Sequence, residues 1–503
     1  MHSLIQLKRT ISLFVIVLLL TCFVLPQIAG AVVPPPDGGY PNFTTAEGTN
    51  ALRNLTTGAG NTGLGWFSLF SATTASFNTG VGAGTLALNT GDNNTAVGTV
   101  ALFLNTTGFS NTAVGSTALL HNDSGGNNTG IGAGALTSNT TGNSNTATGV
   151  GSLAANVNGG GNTATGSLAL SANNGTLNTG TGLAALQNNT TGSNNTAMGA
   201  GALNFNTIGV ENTAIGEQTL AGNQNGDHNT ATGFQALFVN VGGNNNTANG
   251  WSALGSNTSG ANTAIGYEAM FSTTTGGSNT AVGAAALFSN TSGIENIALG
   301  NSAGSNLTTG DNNIEIGNVG VAGESATIRI GNPNFQSATF IAGISGATVP
   351  SGVAVIVGSN GHLGTVPSSQ RFKDEITPMN QASEAVFKLK PVTFHYKKEL
   401  DPDGIRQFGL VAEEVEKVNQ DLVARDKEGK AYTVRYDQVN AMLLNEFLKE
   451  HRTVQELKSA ATAQEAMIAR QQKQIDALTA GLQKVSAQVE MKGTVPRMVV
   501  GNK

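Results

Sequence analysis

At 503 residues the chain exceeds one compact domain, and 67 Gly with only 11% charged residues exclude an ordinary globular composition. Aliphatic residues recur at fixed positions, which excludes a disordered low-complexity chain, since such chains are charged and aliphatic-poor. No Lys or Arg lies between Arg53 and Arg329, so that stretch cannot form the cationic surface that nucleic acid or an acidic lipid face requires.

Lys8 and Arg9 precede an apolar run from Ile11 to Val24, and the segment ending in Ala31 supplies small residues. A charged start, a short apolar stretch and a small-residue site predict a secretory signal peptide over 1–31, cleaved near Ala31. The run is shorter than the ~20 apolar residues of a spanning helix. The mature chain is therefore expected to be secreted or held at the cell surface, with no stable membrane span. Cys22 is the only cysteine, so no disulfide or cysteine metal site is expected after its removal. A linker containing Pro and Gly follows over 32–57.

Residues 58–320 carry an internal repeat. Asn opens motifs such as NTAVG, NTGIG and NTATG at 61, 78, 94, 111, 128, 145, 162, 178, 195, 212, 229, 246, 262, 279, 296 and 313. Successive spacings are 17 residues, with 16 at three places. Ala or Gly stands two positions after Asn (Ala96, Ala113, Gly130) and Gly four positions after it (Gly98, Gly115, Gly132). An Ala-Leu pair follows (Ala101–Leu102, Ala118–Leu119), and a polar turn such as NTTG closes the unit. Two helices do not fit in such a unit, and Asn, Thr and Gly disfavour helix interiors. Short strands joined by Gly and Asn turns do fit, with one unit per coil of a parallel β-solenoid. Small residues then let backbones approach, Leu fills the core, and Asn rows form amide ladders. At ~4.8 Å per rung the sixteen units make a rod of roughly 75 Å. Which strand face points inward is left open. Asp is too sporadic for a calcium-binding β-roll. Aligned Thr62, Thr79, Thr95 and Thr112 are ordinary strand residues as well as the rows an ice-binding surface would show. Runs such as NTAVGAAALFSNTSG resemble the head repeats of trimeric autotransporter adhesins. That resemblance implies left-handed β-rolls with three chains side by side, although the units here are longer than is typical of that family.

Over 321–367 the period stops, and ATIRIG, ATFIAGISG and GVAVIVGSNGHLG predict a β-rich neck with a turn at Asn360–Gly361. From Ser368 the composition becomes that of an α+β domain. KPVTFHYKKEL alternates like a strand, QFGLVAEEVEKVNQDLV reads as a strand and an amphipathic helix, and GKAYTVRYDQVNAMLLNEFLKEHR as a strand and a long helix.

Together with SSQRFKDEI these segments, from Ser368 to about Lys458, resemble the intramolecular chaperone domain of endosialidases and phage tail spikes, which is also classed as a self-cleaving peptidase family. The resemblance implies a trimeric domain over 368–445 that sets three chains in register so that the upstream β-fibre folds. It also implies a Ser–Lys dyad, which falls on Ser368 and Lys373, and a scissile bond between Pro367 and Ser368. A serine hydroxyl becomes a competent nucleophile when a base takes its proton, and a lysine can be that base if burial lowers its pKa. Arg371 and His395 are candidate assistants.

Phe447, Val454, Ala461, Ile468, Ile475, Leu482 and Val489 fall on one heptad position, and Leu443, Leu457, Leu478 and Val485 on the other. This predicts a coiled coil over 446–492, then a tail over 493–503. The expectation is a mainly β, exported homotrimeric fibre, structural or adhesive, with no cofactor, no metal and no nucleic acid. Any surface or carbohydrate ligand is unidentified. Two alternatives stay open: a protein whose main activity is the autoprotease, and a monomeric ice- or carbohydrate-binding solenoid.

Overall fold

Asn94, Asn111 and Asn128 sit directly above one another, and that stacking sets the whole N-terminal unit. The computed structural model describes residues 41–344, 349–358, 360–426 and 428–493. The signal peptide expected over 1–31 and the residues from 494 onward lie outside them. The chain divides into two units, up to Phe340 and from Ile341.

The first unit is a parallel β-solenoid of 18 three-residue strands, β1 (Thr45–Glu47) to β18 (Ile328–Ile330), each pairing with the next in chain order. Registers are residue-on-residue, as in Thr95↔Thr112, Ala96↔Ala113 and Val97↔Val114. The strand face that the sequence left open is resolved: the residue two after Asn points inward and is buried, whereas the Thr before it and the Val or Ile after it point outward. From β2 to β16 that residue is always Ala or Gly, because the Leu column fills the rest of the interior. The Ala-Leu segment is not a strand. Its Leu adopts left-handed backbone (Leu119, φ 52°), a conformation costing ~1–2 kcal/mol for an L-residue. The Leu119 N–H donates to Ala135 O of the next coil at 2.9 Å, and Thr117 N–H reaches back to Thr99 O at 3.0 Å, so the strained stretch is pinned from both sides.

Two buried Asn columns run along the interior. In the first, Asn111 donates its backbone N–H and its Nδ2 to Asn94 Oδ1 at 3.0 and 3.1 Å. In the second, from Asn89 to Asn257, each Nδ2 donates to the preceding Oδ1 at 2.5–3.4 Å. In most coils both columns also use one glycine carbonyl: Gly125 O accepts from Asn111 Nδ2 and Asn122 Nδ2, each at 2.8 Å. Nearly all of these amide groups are thereby matched in a core that would otherwise penalise them, Asn290 Oδ1 being the one amide atom left buried without a partner among the described residues. The three 16-residue spacings end at Asn94, Asn178 and Asn262. In these coils the missing residue lies between the two columns, and Nδ2 turns to the second-column Asn five positions back (Asn89, Asn173, Asn257) at 3.1–3.2 Å. The strand register is untouched, since Thr79 still faces Thr95.

The glycine column four after Asn has a steric cause. Gly115 has φ 138°, and a Cβ there would lie 2.5 Å from Gly132 O.

The solenoid extends past the expected repeat bounds at both ends. β1 lies in the segment read as a linker and pairs with β2 (Thr62–Leu64). β18, from ATIRIG in the segment read as a neck, pairs in parallel with β17 (Ile314–Ile316). Parallel stacking needs only a compatible inward residue, so it survives the loss of the Asn-Thr signature that defined the repeat.

In the second unit β19 (Ile356–Val357) and β20 (Leu363–Gly364) pair antiparallel across the Asn360–Gly361 turn. β21 (Val392–Phe394) pairs with β22 (Gln407–Gly409), and β23 (Val423–Arg425) with β24 (Ala431–Val434), both antiparallel. Helix α1 (Ala412–Val418) carries Glu413 and Glu414 in its first turn and Lys417 in its last, matching the helix dipole. Helix α2 (Tyr436–Lys492) is 57 residues long and buries only Val439, Met442 and Glu446. The core is small: Val386, Val415, Leu422, Val423, Val434, Val439 and Met442.

Candidate functional site

The dyad read from the sequence is brought together by one short 3-10 turn, Gln370–Phe372, immediately after the expected scissile bond. Phe372 N–H donates to Ser369 O at 3.1 Å, and Lys373 N–H to Gln370 O at 3.0 Å. This reversal carries Lys373 back over Ser368, and Nζ donates to Ser368 Oγ at 3.2 Å. Both side chains, and Pro367, are exposed in the single chain.

The two suggested assistants do not join the dyad. The Arg371 guanidinium lies over the Phe372 ring, 4.6 Å from its centroid. His395, just past β21, is exposed, and no hydrogen bond links it to Ser368 or Lys373. Among the described residues no group of three or more His, Cys, Asp or Glu could hold a metal ion. Nor, among them, is any helix long and apolar enough to cross a membrane.

A second Ser–Lys arrangement went unnoticed in the sequence because its members are 66 positions apart. Ser383 is buried on the 3-10 segment Asn380–Lys388, which packs on the start of α2. Its Oγ accepts from Asn445 Nδ2 at 2.7 Å and Lys449 Nζ at 3.3 Å, and donates to the Glu446 carboxylate. Lys449 lies 2.6 Å from Glu446. The Lys449 ammonium, and then the Ser383 hydroxyl, hold the Glu446 carboxyl below the usual carboxylate range. With its hydroxyl engaged by these groups and by Asn380 O at 3.1 Å, Ser383 ties α2 to the domain rather than attacking a bond. The signal that would have revealed it is three polar residues, Asn445, Glu446 and Lys449, on the face of α2 continuous with Met442.

The solenoid carries one further group out of pattern. Glu315 occupies the inward Ala column at β17 and is fully buried, with neither carboxylate oxygen hydrogen-bonded. Its neighbour in the next coil, Arg329, is turned to Glu324, at 2.6 Å. Burial, reinforced by the Glu324 charge and opposed by Arg329, raises Glu315 to about 7.

Residues 368–424 match the family model of the chaperone of endosialidase, part of the stretch in which the sequence motifs occur. No curated protein matches the chain. The dyad, the β21–β22 pair, α1 and the first residues of β23 all fall within the matched segment. The C-terminal unit thus carries a segment that matches the chaperone of endosialidase, following in sequence a parallel β-solenoid of about 17 turns.

Proposed function

We propose that the protein is an exported homotrimeric β-fibre whose C-terminal domain drives assembly of three chains and then releases itself by cutting at Pro367–Ser368. One observation carries the assembly. Among the described residues the C-terminal unit has seven apolar side chains in its buried core, while Phe372, Phe387, Phe408, Tyr432, Leu444 and Phe447 are each more than half exposed. Exposed apolar surface of that kind marks an interface. The α2 seam of Phe447, Val454, Ile468, Ile475, Leu482 and Val489 is also exposed, at 44–70%, and fits a parallel coiled coil of the copies. The apolar leader of the sequence supports export.

Cleavage follows from the dyad. Ser368 Oγ attacks the Pro367 carbonyl carbon, Lys373 takes the hydroxyl proton and returns it to the departing Ser368 nitrogen, and water hydrolyses the resulting ester. Residues 368–503 are released after one turnover. A lysine base needs burial, and the packing of copies against the exposed dyad supplies it.

Light scattering of the purified protein tests the assembly, with three chain masses expected and one chain mass overturning it. Denaturing gels and mass spectrometry of wild type and Ser368→Ala test the cleavage. The wild type is expected to divide at Ser368 and the variant to stay whole; identical full-length bands end the cleavage reading.

A further inference from the structure

In most coils the two residues after the buried Leu present outward side chains, as Asn204 and Phe205 do after Leu203. After Leu220 they are instead the small Ala221, itself buried, and Gly222, flanked by Phe205 in the coil before and by Phe238 and Val239 in the coil after. These small residues leave an open notch of about 630 Å3, within the size range of small-ligand sites. Phe205 is 57% and Phe238 36% exposed, so ring surface is offered to a ligand. Gln218 and Gln224 stand on its rim. Gln218 Oε1 accepts from Gln235 Nε2 at 2.8 Å, which fixes that amide and leaves its own Nε2 to donate outward. The Gln224 side chain makes no hydrogen bond to the described residues.

We propose that this notch is a binding subsite for a neutral glycan, one sugar ring lying against Phe205 or Phe238 with its hydroxyls on the Gln218 and Gln224 amides. The chemistry selects that occupant. Aromatic rings attract the C–H face of a sugar, and amides both donate to and accept from hydroxyls. With no Lys or Arg between Arg53 and Arg329, the notch has no cation for a phosphate, a sulfate or a carboxylate. A peptide strand has no edge to join, because the coils use their backbone groups on one another. A second copy of this chain would match every coil, whereas the notch occupies three.

The subsite gives the proposed fibre an adhesive role and rests on that reading for its setting, though the notch itself lies within one solenoid. The test is binding of the full-length protein to immobilised maltohexaose, cellohexaose, chitohexaose and mannohexaose, with sialylated and sulfated oligosaccharides as charged controls. Light scattering on the same sample reports assembly separately. At least one neutral oligosaccharide is expected to bind. Phe205→Ala is expected to weaken binding about tenfold or more, while Phe77→Ala, outside the notch, leaves it unchanged. Binding of charged glycans only, of none, or binding indifferent to both Phe205→Ala and Phe238→Ala overturns the proposal. A trimer that binds no glycan rejects the subsite alone; a monomer that binds rejects the assembly alone.

Discussion

Asn195 Oδ1 accepts two hydrogen bonds from Asn212, from its backbone N–H at 3.0 Å and from its Nδ2 at 3.2 Å. Asn195 Nδ2 in turn donates to Asn178 Oδ1 at 3.2 Å and to Gly209 O at 2.8 Å. One side chain therefore joins three coils. Stability in stacked repeats is a sum of coil and nearest-neighbour terms, so loss of such a residue acts locally and strongly.

Asn195→Ala removes those four bonds and leaves the Asn212 backbone N–H buried without an acceptor, while Asn212 Nδ2 keeps only Gly226 O at 2.7 Å. At about 1 kcal/mol net per bond the expected loss is roughly 4 kcal/mol. Hydrogen exchange is expected to speed up in the coils from about 178 to 229 and to stay slow near 100. Uniform protection across the solenoid would show that the ladder contributes little.

The second ladder is interrupted at Thr273, whose hydroxyl is buried without a partner. Thr273→Asn is expected to donate to Asn257 Oδ1 and accept from Asn290 Nδ2, which now reaches only Gly293 O. The gain is about 1–2 kcal/mol, read as a higher denaturant midpoint. A lower midpoint would mean that the coil there has no room for the longer side chain.

Glu315 makes the solenoid end pH-sensitive. Its folded pKa is about 7 against an ordinary 4.5, raised chiefly by burial. Below about pH 4.5 both folded and unfolded chains hold the proton. Between there and pH 7 only the folded chain holds it, so stability falls as pH rises through that window and is level above it. Glu315→Gln keeps the shape and removes the charge. Its advantage over wild type is expected to grow by about 3 kcal/mol between pH 4.5 and 8, read from unfolding of the segment around β17 and β18. An advantage that does not change with pH would show Glu315 solvated.

Ser383→Ala leaves Glu446, Asn445 and Lys449 without the hydroxyl that ties them to Asn380–Lys388. Faster hydrogen exchange at the start of α2, with Ser368 cleavage unchanged, is the expected outcome. Lost cleavage in a chain that keeps its exchange protection would give Ser383 a part in the chemistry.

Ile475→Asn places an amide in the middle of the α2 seam, where Ile475 is 54% exposed in the single chain. If copies pack there, the variant dissociates at concentrations that hold the wild type together, as light scattering would report. An unchanged mass would remove the coiled coil from the proposal.

Much of this molecule was legible as a linear pattern. Periodic Asn, Ala and Gly dictated a stacked solenoid because identical coils place like atoms above like, and Asn is the side chain that can both donate to and accept from its own copy. The motifs from Ser368 onward marked the chaperone domain, and the Ser368–Lys373 spacing needed only one turn to close. What periodicity could not reveal is which outward side chains meet. Whether Thr or Ala faces in, that the Ala-Leu segment bends through left-handed backbone, and that short coils redirect an amide across the core were decided by close packing between coils. So was the pairing of β17 with β18, where the motif has already lapsed; in the second unit the contact of Ser383 with Lys449 was decided by the packing of Asn380–Lys388 on α2. Each depends on residues brought near by the fold from distant positions, and a sequence records order along the chain, not distance across it.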